Sequence, residues 1–227
     1  MSYEAFDDEP RHQFDEDNQF TVARALSFGW NAFRSNAPIW VALILGCAAV
    51  SIAVDLAIRE LEVAGTVAVP LWGDDSVSGL VSAVVTLFVT WLLSAVLTQA
   101  ALVETSGRKA RLSDALGLGN LGNVLLASAL VTVLYLAGAM LFIVPGIVFL
   151  FLSYYTLPFV LDRDQSAVKA IGSSCSLVAA NAGRLFLLAL AVTGINAVGS
   201  LLCLIGLLVT IPMTTIATTF AFRTLQG

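Results

Sequence analysis

GLVSAVVTLFVTWLLSAVLTQAALV, residues 79–103, holds no charged side chain from end to end. About 20 apolar residues in a helix cross the ~30 Å hydrocarbon core of a bilayer, so this segment is long enough to span. Working outward, comparable runs occur at 38–58, 124–144, 147–161, 185–204 and 207–222, and Asp55 is the one charge within them. The composition agrees, with 58% hydrophobic residues, 12% charged residues and a mean hydropathy of +0.90. Soluble domains carry about 25% charged residues, so this chain cannot cover a globular surface in water. The expected fold is all-α, an integral membrane bundle of six transmembrane helices.

Pro145-Gly146 separates the third and fourth runs, and Ile205-Gly206 the fifth and sixth. Those connections are short enough to predict tight helical hairpins turning at those residues. The fourth and sixth runs are short for a bilayer, and Arg163 and Arg223 stand where basic side chains would reach for headgroups.

Each hairpin follows an amphipathic segment. In TVARALSFGWNAFRS, residues 21–35, Val22, Leu26, Trp30 and Phe33 share one helical face and Arg24, Ser27, Asn31 and Arg34 the other. Thr21 fits an N-cap, and the pattern is that of a helix lying in the membrane interface, with Trp30, Phe33, Arg24 and Arg34 as its anchors. Residues 111–119 and 166–180 repeat the theme. At an offset of 145 positions Ala25 meets Ala170, Asn36 meets Asn181 and Ala37 meets Ala182. The expected organisation is three repeats of interfacial helix plus transmembrane hairpin, about 21–104, 111–163 and 166–225.

Charge is distributed unevenly. Residues 1–20 hold seven acids (Glu4, Asp7, Asp8, Glu9, Asp15, Glu16, Asp17) against Arg11 alone, while the rest holds nine acids and ten bases. A segment so acidic and poor in apolar residues is predicted to be a disordered cytoplasmic tail, distinct from a six-span membrane domain over 21–227. With the N-terminus inside, ten of the 11 basic residues fall on the cytoplasmic side and only Arg59 outside. The positive-inside rule therefore places both termini in the cytoplasm of a bacterial plasma membrane. Cys47, Cys175 and Cys203 show no paired spacing and read as free thiols.

Chemistry has few candidates. The lone histidine, His12, lies in the acidic tail, which excludes histidine triads and most zinc sites. Gly117-Leu-Gly119-Asn-Leu-Gly122 fits the dinucleotide fingerprint by letter, but it runs directly into a span and reads as an interfacial turn. Asp162 and Asp164, flanking Arg163, suit a turn with local ion pairing better than a calcium site. Glu104 can pair with Arg108 one turn later. Asp55 lies about 26 Å along its helix from Pro38, near the outer interface. Metal sites, cofactors and nucleic-acid binding are not expected.

One pattern stands out. Ser82, Thr86, Thr90, Ser94 and Thr98 place a hydroxyl at every fourth residue of the second span. Thr210, Thr214 and Thr218 repeat it in the sixth, and Asn196 sits mid-way along the fifth. Such rows serve either as packing seams between helices or as a polar groove for a substrate. Tyr154 and Tyr155 are central in the fourth run, where at least one hydroxyl needs a partner.

The stretches ALSFGWNAFRSNAPIW, IVPGIVFLFLSYYTLPFVLDRD, AVKAIGSSCSLV and LIGLLVTIPMTTIATTFAFRTL resemble a broad bacterial family of six-span membrane proteins. That family includes the membrane domain found ahead of some glycerophosphodiester phosphodiesterases. The resemblance implies a helical fold; no phosphodiesterase domain is present, so it carries no enzymatic activity over. The function expected from sequence is a non-enzymatic accessory or scaffolding component of a plasma-membrane assembly, with the lipid bilayer and another membrane protein as partners. The alternative is a transport or lipid-handling protein that uses the hydroxyl-lined faces.

Overall fold

The computed structural model describes residues 20–63, 76–141, 143–201 and 206–226. The acidic tail, Asp74, Asp75 and Cys203 lie outside them. Among the described residues all regular structure is helical: α1 Val22–Ser35, α2 Ala37–Val63, α3 Ser76–Thr105, α4 Leu112–Leu116, α5 Leu121–Leu141, α6 Ile143–Leu152, α7 Thr156–Arg163, α8 Ala167–Ala180, α9 Ala182–Leu201 and α10 Leu207–Gln226. Six stretches among them are long and apolar enough to cross a membrane: α2, α3, α5, α6 with α7, α9 and α10. This is a multi-pass membrane protein.

Local chemistry sets several boundaries. The Thr21 hydroxyl accepts from Arg24 N at 3.3 Å, capping α1 as its position in the sequence predicts. Asn36 and Asn181 each stand as the single residue between an amphipathic helix and the span that follows. Asn120 begins α5, its side chain accepting from Asn123 N at 3.3 Å, so the glycine-rich segment ends in a helix cap. Asp164 ends α7 in the left-handed conformation, φ 48°.

The turn between α5 and α6 differs from the sequence expectation. Pro145 and Gly146 lie inside the first turn of α6, so they follow the reversal between α5 and α6 rather than forming it. Proline tolerates the first helical turn, where its missing N–H costs nothing. Gly146 serves the approach of the two helices instead. A Cβ on Gly138 of α5 would sit 3.2 Å from Gly146 Cα, so the pair of glycines sets the hairpin's spacing.

The bundle is organised around α10, which packs on α1, α2, α3 and α9. Two apolar clusters result. One joins Tyr155, Phe159 and Phe222 with Leu185 and Leu188; the other joins Phe33, Trp40 and Leu43 with Ala100, Ala101 and Ile216. Leu45, Ile52, Leu56, Phe186, Leu187, Leu190 and Leu201 point outward. In water such a surface would aggregate; against lipid tails of equal polarity it carries no penalty.

Candidate functional site: a crevice at a broken helix

The fourth span is discontinuous. Its helix stops after Leu152, turns through Ser153–Tyr155 and resumes as α7, halfway along the membrane-length stretch Val144–Arg163. Pro158, third in α7, has no N–H to bond back to the turn, which favours a break just upstream. Backbone groups freed at membrane depth are costly unless protein satisfies them. Ser174 of α8, fully buried, does so: its hydroxyl donates to Leu152 O at 2.7 Å and accepts from Tyr155 N at 3.0 Å.

The two tyrosines of the break enter a pair of adjoining cavities. One, about 380 Å³, lies between α3, α10 and the break, and is lined by Thr90, Trp91, Ser94 and Thr98 of α3, Thr215, Thr218 and Thr219 of α10, and Pro158. The other, about 310 Å³, lies between α6, α8 and α9 and is lined by Ile147, Phe151, Val178, Leu185, Leu188 and Val192. Leu150, Tyr154, Tyr155 and Thr218 belong to both. No residue lining either cavity is charged.

The hydroxyls of the first cavity fall into two groups. Thr90, Ser94 and Thr219 donate to the carbonyls of Thr86, Thr90 and Thr215, four residues back, and Thr218 donates to Thr215 O. Each hydroxyl has one hydrogen, so these oxygens offer only lone pairs to the cavity. Tyr154 Oη reaches Thr218 Oγ1 at 3.5 Å, the limit of a hydrogen bond, which gives one of the two tyrosines its expected partner. Tyr155, only 3% exposed, is held at the break through its backbone N–H, which donates to Ser174 Oγ.

Smaller spaces continue along the other flank of α3. Thr90 and Ser94 also face a cavity of about 260 Å³ with Cys47 and Ser51 of α2, and Thr86 and Thr90 face one of about 40 Å³ with Ser51 and Asp55.

With this geometry in place, comparison with known proteins gives a family without a named activity. The chain is 30% identical over 226 residues to an uncharacterised protein of Mycobacterium bovis, spanning 92% of this chain and 69% of that protein. An uncharacterised protein of Mycobacterium tuberculosis matches with the same identity and coverage. The chain belongs to their family. No family model and no solved structure matches it. The resemblance to the membrane domain of phosphodiesterases therefore gains no support from these comparisons, and chemistry must be read from the chain's own residues.

The predicted groove residues divide three ways. Thr90, Ser94, Thr98 and Thr218 meet at the 380 Å³ cavity. Thr86 faces α2, and Ser82 lies one turn further toward the start of α3. Asn196, Thr210 and Thr214 line none of these cavities: Asn196 Nδ2 donates to Thr214 Oγ1 at 3.3 Å across the α9–α10 contact, whereas Asn196 Oδ1 and Thr210 Oγ1 are buried without partners among the described residues. Trp91, Tyr154, Tyr155, Thr215 and Thr219 complete the site, and a four-residue row in the sequence could not nominate them. The signal that could is Pro158, because a proline deep in an apolar run marks a break.

The interfacial anchors also divide. Trp30 is 40% exposed, with the Arg34 guanidinium 6.0 Å from its ring centroid. Phe33 instead is buried in the cluster of Trp40 and Ile216. The face of α1 that packs is Ala25, Gly29 and Phe33, because Gly29 meets the Met213 carbonyl of α10, an approach that a Cβ would block. Arg24 is exposed on the opposite side.

Charged side chains cluster at one end of the bundle. Arg223 donates to Asp162 at 2.7 Å, Arg163 lies 3.6 Å from the same carboxylate and donates to Gln226, and Asp164 accepts from Asn120 at 2.9 Å. Arg163 and Arg223 are thus tied into a network rather than reaching for headgroups. Glu104 makes no ion pair with Arg108; it is buried and accepts from Asn36 Nδ2 at 3.2 Å and Ala110 N at 3.0 Å. Among the described residues no cluster of three metal-ligating side chains occurs. Burial raises the Cys175 thiol above its ordinary pKa, which makes it a poor nucleophile.

Proposed function

We propose that this chain is a non-enzymatic protein of the bacterial plasma membrane that binds an uncharged amphiphile from the bilayer, in a transport or lipid-handling role. The observation that carries the reading is convergence: Thr90, Ser94 and Thr98 of the α3 row, Thr215, Thr218 and Thr219 of α10 and a break in the fourth span meet at one cavity of about 380 Å³. Discontinuous spans at cavities are how transporters expose backbone and polar groups to substrate within a membrane. A volume of this size lies at the lower end of small-molecule sites. An anion is a poor occupant, because no cationic side chain lines the cavity to compensate its desolvation.

The accessory-scaffold expectation called for a dry, closed bundle with an apolar lateral face, and the crevice weighs against it. The experiment is mass spectrometry of the lipids retained by the full-length protein after mild-detergent purification from its host. A neutral lipid retained near one per chain, and lost from a folded Ser94→Leu variant, is the expected result. Stoichiometric recovery of a partner protein, with no lipid enriched over the bulk membrane, would instead restore the scaffold.

A further inference from the structure

The two cavities differ in how many hydroxyls line them and share Leu150, Tyr154, Tyr155 and Thr218. The chamber between α3 and α10 is rich in hydroxyls, including Thr90, Ser94, Thr215 and Thr218. The chamber behind it is lined by Ile147, Phe151, Leu185 and Leu188, and apart from the shared Tyr154, Tyr155 and Thr218 its hydroxyl is that of Thr193. Tyr154 lines both and closes on Thr218 through a contact at the 3.5 Å limit of a hydrogen bond. Resting on the amphiphile-binding reading above, we propose that the chambers form one bipartite site for a single-chain amphiphile with an uncharged, hydroxyl-bearing head. The head occupies the α3–α10 chamber, the chain enters the apolar one, and Tyr154 divides them.

Three arguments select that ligand class. A phosphate, sulfate or carboxylate head would sit among uncharged residues with no counter-ion, and buried charge without a partner is strongly disfavoured. The head must also match both hydrogen-bonding roles. Thr90, Ser94, Thr218 and Thr219 present acceptor oxygens, their hydrogens being held by their own helices, whereas Tyr154 Oη–H, which reaches Thr218 only at the 3.5 Å limit, is available to donate. A hydroxyl group satisfies both at once; an ether or a hydrocarbon does not. Finally, about 310 Å³ lies at the lower end of ligand-site volumes, which favours one hydrocarbon chain over two.

The test is photo-crosslinking in host membranes containing the full-length protein, with a 1-monoacylglycerol bearing a diazirine at the end of its chain. Saturable labelling is expected on α9 between Leu185 and Thr193. Unlabelled monoacylglycerol should compete for it roughly 100-fold better than an alkyl sulfate of the same chain length, the factor that an unpaired buried charge implies. Diacylglycerol should compete poorly. Ala189→Trp, which fills the apolar chamber, should lower the labelling to background, while Leu187→Trp, on the lipid-facing side of the same helix, should leave it unchanged and control for folding. Saturable labelling on α3 or α10 but not α9, or equal competition by the sulfate or the diacyl lipid, would overturn the bipartite site and leave the crevice as a binding site. Labelling that never saturates would overturn both.

Discussion

Ser174 does the work of two partners with one side chain. Its hydroxyl hydrogen goes to Leu152 O and its lone pair to Tyr155 N, so the groups freed on either side of the helix break are both satisfied. Replacing it with alanine leaves two buried backbone groups unpaired, at about 1–3 kcal/mol each. Ser174→Ala is therefore expected to lower the melting temperature in mild detergent by several degrees. Ser173→Ala, next door, removes only a bond to the Gln165 side chain and should change little. Equal melting temperatures for the two variants would show that α8 does not hold the break. Residues of this kind were legible in sequence only where the partner is local or the chemistry is unambiguous. Thr21 as a cap needs only the next turn, and Asn196 in mid-span needs some neighbouring helix. Glu104 was assigned to Arg108 because four residues separate them, yet its bonds are to Ala110 N, six positions on, and to Asn36, 68 positions away. No local rule can see a partner that tertiary packing supplies.

At the scale of elements, α1 shows what periodicity reads and what it misses. Its amphipathic pattern placed the helix, but the pattern alone put Trp30 and Phe33 together on the membrane-facing stripe. In the fold, small residues decide the contact. Ala25 and Gly29 allow α1 to close on α10, Phe28 stacks on Phe220 with ring centroids 4.5 Å apart, and Phe33 follows into the core. The two aromatics should then respond differently to charge. Trp30→Asp, at a 40% exposed position, is expected to fold and to weaken only membrane docking; Phe33→Asp buries a carboxylate beside Trp40 and Ile216 and should prevent accumulation. Abundance in the membrane fraction measures both, and equal tolerance would mean that α1 does not pack as described. The hairpin turn between α5 and α6 was misplaced for a related reason. Pro-Gly is a strong turn signal, but proline fits a first helical turn equally well and Gly146 was needed against Gly138. Span number, by contrast, was legible throughout, because length and hydropathy alone determine whether a helix can cross a bilayer.

For the whole molecule, the remaining question is which way it sits. The junction of α1 and α2, the loop from α3 to α4, the turn from α7 to α8 and the end of α10 are cross-tied: Lys109 donates to Ser35 O, Asn120 to Asp164, and Arg223 to Asp162. These contacts gather the basic residues at one end of the bundle, while Arg59 lies near the far end of α2. Chains insert with basic loops retained in the cytoplasm, at short loops above all, so that end should face inward. Two positions report on it directly. Ser106 follows α3 at the basic end and is exposed; Gly73, outside the described residues, falls between α2 and α3 in the sequence. In a background with Cys47, Cys175 and Cys203 replaced by serine, Gly73→Cys should react with a membrane-impermeant maleimide in intact cells. Ser106→Cys should react only after the membrane is opened. The orientation also fixes how the crevice is reached: with the basic end inside, the Asp55 end of the α2–α3 flank would face the periplasmic leaflet and the charged network of α7 and α10 the cytoplasm. Labelling in the reverse order would overturn the inward placement of both termini, and with it the direction in which any amphiphile is handled.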